Sequence, residues 1–207
     1  MSESEASAQN LEVEVKFFVE RLTAVRQRLL DLGAELHKPR VFERNVRFDT
    51  PDERLRLAGQ LLRLRQDTAV RLTYKGIPAN PPASEAKVRE ELEITVSDFA
   101  TAALICQRLG FQPLQTYEKY RETFLWNGVE IVLDEMPFGD FVELEGEESA
   151  IRETAVRLSL DWSKRLLTNY LALMGQVRQH FNLPFTDLTF VNFKNLEIPL
   201  SDLLPSA

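Results

Sequence analysis

A chain of 207 residues with 44% hydrophobic residues and a formal net charge of -7 is large enough to bury a core as one domain, or one domain with a tail. The acidic balance argues against a general nucleic-acid binder, which needs a basic footprint to neutralise phosphates. Cys106 is the only cysteine and His37 and His180 are the only histidines, which excludes an internal disulfide and argues against a zinc or copper site.

In chain order, Met1–Asn10 is polar and acidic and lacks the apolar centre of a signal peptide. Residues 1–10 are expected to form a disordered tail. No apolar run reaches the length of a membrane span, so a cytoplasmic location is the default expectation. Leu11 to Val19 alternates strictly, with Leu11, Val13, Val15 and Phe17 on one face and Glu12, Glu14 and Lys16 on the other; period two predicts a strand. Thr23 offers an N-cap, and Val25, Leu29, Leu30 and Leu32 follow at helical spacing until Gly33.

Val41 to Asp49 alternates again. Leu61 to Gln66 and Val70 to Lys75 predict a hairpin, and the prolines and glycine of 76–84 predict a loop. Lys87 to Val96 is the longest clean strand, with Lys87, Arg89, Glu91 and Glu93 on one side. Ser97 is placed as the cap of a second helix ending at Gly110, with Cys106 in its apolar stripe as a small buried hydrophobe. Tyr117–Trp126, Val129–Leu133 and Phe141–Glu145 predict three more strands, the first two joined by the hairpin signal Asn127-Gly128. From Ser149 the pattern turns helical through Leu160, and again from Ser163 to about Val177. The last thirty residues, with Pro184 and Pro199, read as a wrap or tail.

An internal echo runs through this order. Glu12-x-Glu14, a helix ending Leu32-Gly33, and Phe42-Glu43 resemble Glu91-x-Glu93, a helix ending Leu109-Gly110, and Tyr117-Glu118. Two β-α-β halves are one reading of it.

Charges recur in pairs at i and i+2, which puts each pair on one strand face. The acidic set is Glu12 and Glu14, Glu91 and Glu93, Glu143 and Glu145, with Asp134; the basic set is Arg63 and Arg65, Lys119 and Arg121, with Lys16, Lys75 and Arg89. The opposite faces are largely apolar and need cover from the predicted helices. A solvated sheet face with cross-strand ion pairs is the plainer alternative. It accounts poorly for doubled like charges, since two carboxylates 6–7 Å apart repel by roughly 2–3 kcal/mol at an effective dielectric near 20. Carboxylates that hold a hard metal ion and cations that hold phosphate oxygens suit a metal–polyphosphate complex.

The ordered series resembles the CYTH superfamily of triphosphate tunnel metalloenzymes. It comprises Glu12-x-Glu14-x-Lys16, Leu-Arg63-Leu-Arg65, Thr-Tyr-Lys75-Gly, Arg89-Glu-Glu91-Leu-Glu93, Glu118-Lys119-Tyr-Arg121, and Leu133-Asp134 leading to Glu143-Leu-Glu145. The resemblance implies an α+β fold: a closed antiparallel eight-stranded β-barrel with helices outside, over residues 11–175, followed by a C-terminal extension, 176–207. It implies that Glu12, Glu14, Glu143 and Glu145, with Asp134 assisting, hold Mg²⁺ or Mn²⁺. Lys16, Arg63, Arg65, Lys75, Arg89, Lys119 and Arg121 would bind phosphate oxygens. Glu91 and Glu93 would position a water or second metal, and Lys16, Glu91 and Glu93 form the expected catalytic set.

The stretches Glu-Val-Glu-Val-Lys-Phe and Phe-Val-Glu-Leu-Glu place the resemblance in the CyaB-like branch. Bacterial class IV adenylyl cyclases of that branch carry His-Phe-x-x-Lys before this strand; here the positions read Ser7-Ala8-Gln9-Asn10. Hydrolysis of a triphosphate is therefore preferred to cyclisation of ATP, and both to a non-catalytic polyphosphate-binding module. The expected partner is a small triphosphate, not nucleic acid or membrane; the organic group and the oligomeric state stay open. Without metal, Glu14 and Glu145 are expected to be crowded by Glu12 and Glu143. Arg63 and Arg121 are both expected to be dispensable for the fold.

Overall fold

The computed structural model of the protein describes residues 11–204; the tail expected at 1–10 lies outside the described residues. The strands are β1 (Leu11–Val19), β2 (Glu35–Asp49), β3 (Leu61–Gln66), β4 (Val70–Gly76), β5 (Lys87–Val96), β6 (Gln112–Trp126), β7 (Val129–Met136) and β8 (Gly139–Glu145). They form one sheet that closes on itself in the order β1-β5-β4-β3-β2-β6-β7-β8. The registered neighbours are antiparallel, as in the hairpins β3–β4, β6–β7 and β7–β8. The longer helices are α1 (Leu22–Asp31), α3 (Phe99–Arg108), α4 (Glu148–Arg157) and α5 (Tyr170–His180); the short helices α2 (Arg54–Leu57) and α6 (Phe190–Phe193) complete the set.

The chain divides into two compact units. One gathers Glu12 with Glu43–Ser84 and Val88–Tyr117; the other gathers Val13–Phe42, Glu85–Lys87 and the chain from Glu118 onward. In the first unit, Val46, Phe48 and Leu64 pack with Ala102 and Cys106 of α3, so the lone cysteine is a free, buried core residue. In the second, Val15 and Phe17 of β1, Ile131 and Leu133 of β7, and Val142 and Leu144 of β8 pack under Leu22, Val25 and Leu29 of α1 and Ile151 and Ala155 of α4. The apolar strand faces are largely covered as the alternation predicts, but Leu11 on β1 and Leu36 and Phe42 on β2 are exposed. Leu92 and Ile94 on β5 are also exposed, as are Leu104 and Ile105 on α3.

Element ends differ where local chemistry decides them. The N-cap of α1 is Arg21, without a side-chain cap, so Thr23 lies inside the first turn. Asp98, not Ser97, caps α3, its carboxylate accepting from Thr101 N at 2.7 Å. The continuous helix expected over 163–177 is broken. Leu166 pairs with Lys16 through both backbone groups, and α5 starts only after Asn169, whose side chain accepts from Ala172 N at 2.8 Å. The short helix α2 has no sequence periodicity to announce it; Asp49 makes it by accepting from Leu55 N and Arg56 N at 2.9 and 3.0 Å.

The internal echo is present in the elements. β1, α1 and β2 have 9, 10 and 15 residues, and β5, α3 and β6 have 10, 10 and 15. Both helices close with a glycine at positive φ, Gly33 at 72° and Gly110 at 94°, inside the same pair of backbone bonds: Ala34 N to Leu29 O with Gly33 N to Leu30 O, and Phe111 N to Cys106 O with Gly110 N to Gln107 O. The echo fails at Phe42-Glu43 and Tyr117-Glu118. Glu43 and Tyr117 are the buried members, a one-residue offset that exchanges faces in a strand.

Candidate functional site

The charged residues singled out in the sequence collect into two clusters, one on each unit. In the second unit, β1 and β8 set Glu14 opposite Glu145 and Lys16 opposite Glu143, while β6 and β7 set Arg121 opposite Asp134. Asp134 is fully buried. It accepts from Lys119 Nζ at 3.0 Å, from Arg121 Nε and Nη2 at 2.7 and 2.6 Å, and from the Tyr170 hydroxyl at 2.9 Å. Glu143 is paired with both Lys16 and Arg121. Glu14 is paired with Lys87. The metal-free crowding expected at Glu14 is thus relieved by an interleaved lysine. Asp134, expected to assist at a metal, holds three cationic or phenolic groups in place.

Burial disfavours the charged forms here, and the partners outweigh it. Lys16 has its pKa raised against burial by Glu143, Glu14 and Asp134. Glu143 is held well below the ordinary carboxylate range, against burial, by Lys16, Arg121 and Lys119. Burial, with Asp134 and Glu143, pushes the Tyr170 phenol well up, so it stays a neutral donor. A depressed carboxylate contributes stability above its unfolded value and loses it as pH falls through the folded one. The metal-free protein is therefore expected to melt at a constant temperature above about pH 5 and to lose stability steeply below about pH 4. Glu143→Gln should flatten that acid limb. Melting curves from pH 3 to 8 check this; an acid limb unchanged in Glu143→Gln would assign it to other groups.

The first unit carries an arginine block. Across β2, β3 and β4, Arg47 lies opposite Arg63 and Arg65 lies opposite Arg71. Like charges directly opposed across strands are destabilising, and the carboxylates answer them unevenly: Arg71 is paired with Asp67 at 2.8 Å and lies 3.6 Å from Glu93, and Arg65 lies 3.8 Å from Glu43. Arg47 reaches Asp49 at 3.0 Å and Glu53 at 3.1 Å. Arg65 reaches Glu93 at 3.0 Å, while Arg63 is 3.7 Å from Glu93 and 3.8 Å from Glu91. Arg63 also donates to Tyr117 and Thr73 at 3.3 and 3.1 Å, and Thr73 donates on to Glu93 at 2.7 Å. The buried Nε atoms of Arg47, Arg63 and Arg65, and both amide atoms of Asn45, lack a hydrogen-bond partner. Asn45 is fully buried.

Lys75 sits between Glu12, at 2.6 Å, and Glu91, at 2.9 Å. Burial opposes the Glu91 charge, but Lys75 and Arg63 lower its pKa. Arg89 turns to the backbone carbonyl of Gly59.

The sequence reading passed over Arg47, Asn45, Glu43 and Asp49, although they alternate along β2 as one polar face. It placed Lys87 on the charged strand face without giving it a role, and passed over Arg71 and Tyr170, the latter announced by no strand pattern. Among the described residues no three His, Cys, Asp or Glu side chains converge as a metal site, and no helix is long and apolar enough to cross a membrane.

The CYTH domain description matches residues 10–170. The chain belongs to the CYTH family. A Methanocaldococcus jannaschii protein named as a candidate adenylate cyclase is 31% identical over 146 residues, covering 69% of this chain and 81% of that protein. Among solved structures, a protein of Pyrococcus horikoshii is 26% identical with a TM-score of 0.67, covering 78% of this chain and 98% of its own. A candidate adenylate cyclase of Vibrio parahaemolyticus has the same fold at TM-score 0.71 and 20% identity, covering 80% and 98%. A Hippeastrum protein described as having a dominant triphosphatase activity shares the fold at TM-score 0.57 and 19% identity, covering 80% and 95%. This chain thus has a relative named for adenylate cyclase and shares its fold with a protein described as having triphosphatase activity.

Proposed function

We propose that the protein is a metal-dependent triphosphatase. The observation that carries this reading is the arginine block of β2–β4. Arg47 faces Arg63, Arg65 faces Arg71, and three guanidinium Nε groups are buried without an acceptor. A buried donor left unpaired costs about 1–3 kcal/mol. An anion rich in oxygen acceptors would satisfy these donors and offset the opposed charges, and a guanidinium fork matches phosphate oxygens. Lys16, Lys119 and Arg121 form a second cationic cluster, around the carboxylates of Asp134 and Glu143.

The carboxylates fit a divalent metal in kind: Glu14 and Glu145 are opposed and Glu143 is two residues along, all hard oxygen donors of the type Mg²⁺ or Mn²⁺ takes. Glu14, Glu143 and Glu145 would hold the ion, which would supply charge neutralisation at the phosphate oxygens. Asp134 serves the cations. The chain's own residues bind and orient the phosphates, which is most of what phosphoryl transfer asks of a protein. Glu91, with its pKa lowered by Lys75, is a weak proton acceptor at neutral pH and suits orientation of the attacking water better than its deprotonation. In hydrolysis the water oxygen bonds the terminal phosphorus as the bridging P–O bond breaks.

The names of the relatives keep cyclisation of ATP as the second reading. Inorganic tripolyphosphate and ATP, each with Mg²⁺ or Mn²⁺, separate the two. Orthophosphate released from tripolyphosphate, and lost in excess chelator, is the expected result. Cyclic AMP and pyrophosphate from ATP, with tripolyphosphate untouched, would overturn it.

A further inference from the structure

We propose that Tyr170 is a positioning residue of the Lys16–Lys119–Arg121 cluster, its hydroxyl orienting Asp134 and its ring flooring both lysines. The inference rests on the triphosphate-binding reading of that cluster.

Three contacts converge on one side chain. The hydroxyl donates to Asp134 Oδ2 at 2.9 Å, the oxygen that also receives Lys119 Nζ at 3.0 Å and Arg121 Nη2 at 2.6 Å. Lys16 Nζ stands 4.3 Å and Lys119 Nζ 5.4 Å from the ring centroid, both within the range where an ammonium is attracted to an aromatic face. Phe141 meets the same ring edge to face at 5.2 Å and 73°, which fixes its plane. One residue therefore touches the anchor and two of the three cations of the cluster.

The segment that delivers Tyr170 is itself stitched to the cluster. Leu166 N donates to Lys16 O at 2.7 Å and Lys16 N to Leu166 O at 3.3 Å. Four residues later α5 begins on Tyr170, behind the Asn169 cap. Leu173, Met174 and Val177 bury the rest of that face of the helix. A purely packing role would be met by phenylalanine. It would leave Asp134 with one donor fewer, free to follow Arg121 rather than hold a fixed plane, and a small error in cation placement is costly for a reaction that depends on positioning.

The test uses the full chain and the variants Tyr170→Phe and Tyr170→Leu, with inorganic tripolyphosphate and Mg²⁺ as the probe. Tyr170→Phe is expected to stay folded and to melt only a few degrees below the parent, as loss of one buried hydrogen bond implies. Its kcat/KM should fall roughly tenfold, below the ~10²-fold that an ångström of misplacement costs, and its Asp134 carboxyl ¹³C resonance should shift. Tyr170→Leu should lose more activity and also move the ¹⁵N resonances of the Lys16 and Lys119 ammonium groups, which Tyr170→Phe leaves nearly in place. Parent kinetics together with a parent Asp134 resonance in Tyr170→Phe would overturn the proposal. So would activity losses that follow melting temperature alone. If the parent neither binds nor hydrolyses tripolyphosphate, the functional reading fails, and the resonances alone then decide whether Tyr170 positions the cluster.

Discussion

Asp134→Ala is expected to be among the most damaging single changes in the protein, lowering the melting temperature by roughly 10 °C or more and abolishing turnover. Asp134 is fully buried and is the shared acceptor of Lys119, Arg121 and Tyr170. Removing one partner of a buried ion pair costs about 3–5 kcal/mol because the other charges are left uncompensated. That is a large share of a typical stability of about 5–15 kcal/mol. Lys119 would keep the Tyr170 ring and its attraction to Glu143, and Arg121 would keep Glu143, but neither would keep its fully buried hydrogen-bonded acceptor, Asp134. Asp134→Asn should fall between, since an amide keeps one acceptor oxygen and nearly the same shape. The check is a double-mutant cycle with Lys119→Met, followed by thermal melting. A coupling near zero, or Asp134→Ala melting within a degree or two of the parent, would show that the cluster is not held through this carboxylate.

Much of the fold was legible because strand alternation is a local signal. β1 runs Leu11–Val19 and β5 runs Lys87–Val96, the bounds the period-two pattern predicts, and the hairpin at Asn127-Gly128 falls where the dipeptide puts it, with Asn127 at φ 51°. The charged faces were equally legible, since i and i+2 share a face whatever the tertiary structure. Partner identity was not. Lys87 meets Glu14, and Lys75 meets both Glu12 and Glu91, and each pairing depends on strand order and on side-chain reach, which no local pattern carries. Two omissions had different causes. Glu43, Asn45, Arg47 and Asp49 alternate in plain view, and their polar face was outweighed by the more conspicuous paired motifs. Tyr170 could not be read, because the helical pattern runs without a visible break from Ser163, while the structure ends one turn at Lys164 and starts α5 at Tyr170. The break comes from pairing with Lys16, a contact between residues 150 positions apart.

Charge pattern alone treats Arg63 and Arg121 alike; the structure separates them, and the separation gives the last prediction. Arg63 lies opposite another arginine, Arg47, its two carboxylates stand at 3.7 and 3.8 Å, and its Nε has no partner. Replacing an under-satisfied buried ion by an apolar side chain of similar length is often neutral or stabilising. Arg63→Met should also relieve repulsion at Arg47, while Glu93 keeps Arg65 and Thr73. Its metal-free melting temperature is therefore expected to stay at or slightly above that of the parent. Its affinity for tripolyphosphate should drop by roughly 10- to 100-fold, the equivalent of one hydrogen-bonded charge at about 1.5–3 kcal/mol. Arg121→Met should behave differently. Arg121 donates to both oxygens of buried Asp134 and to Glu143, so its loss takes a cation from two carboxylates at once, leaving Asp134 to Lys119 and Tyr170 and Glu143 to Lys16, and should lower stability by up to about 3–5 kcal/mol as well as binding. Calorimetric titration with tripolyphosphate and thermal melting on both variants measure the two halves together. If Arg63→Met melts as low as Arg121→Met and binds tripolyphosphate like the parent, Arg63 is a structural cation. The arginine block would then carry no argument for phosphate, since its opposed charges would be answered from within the fold.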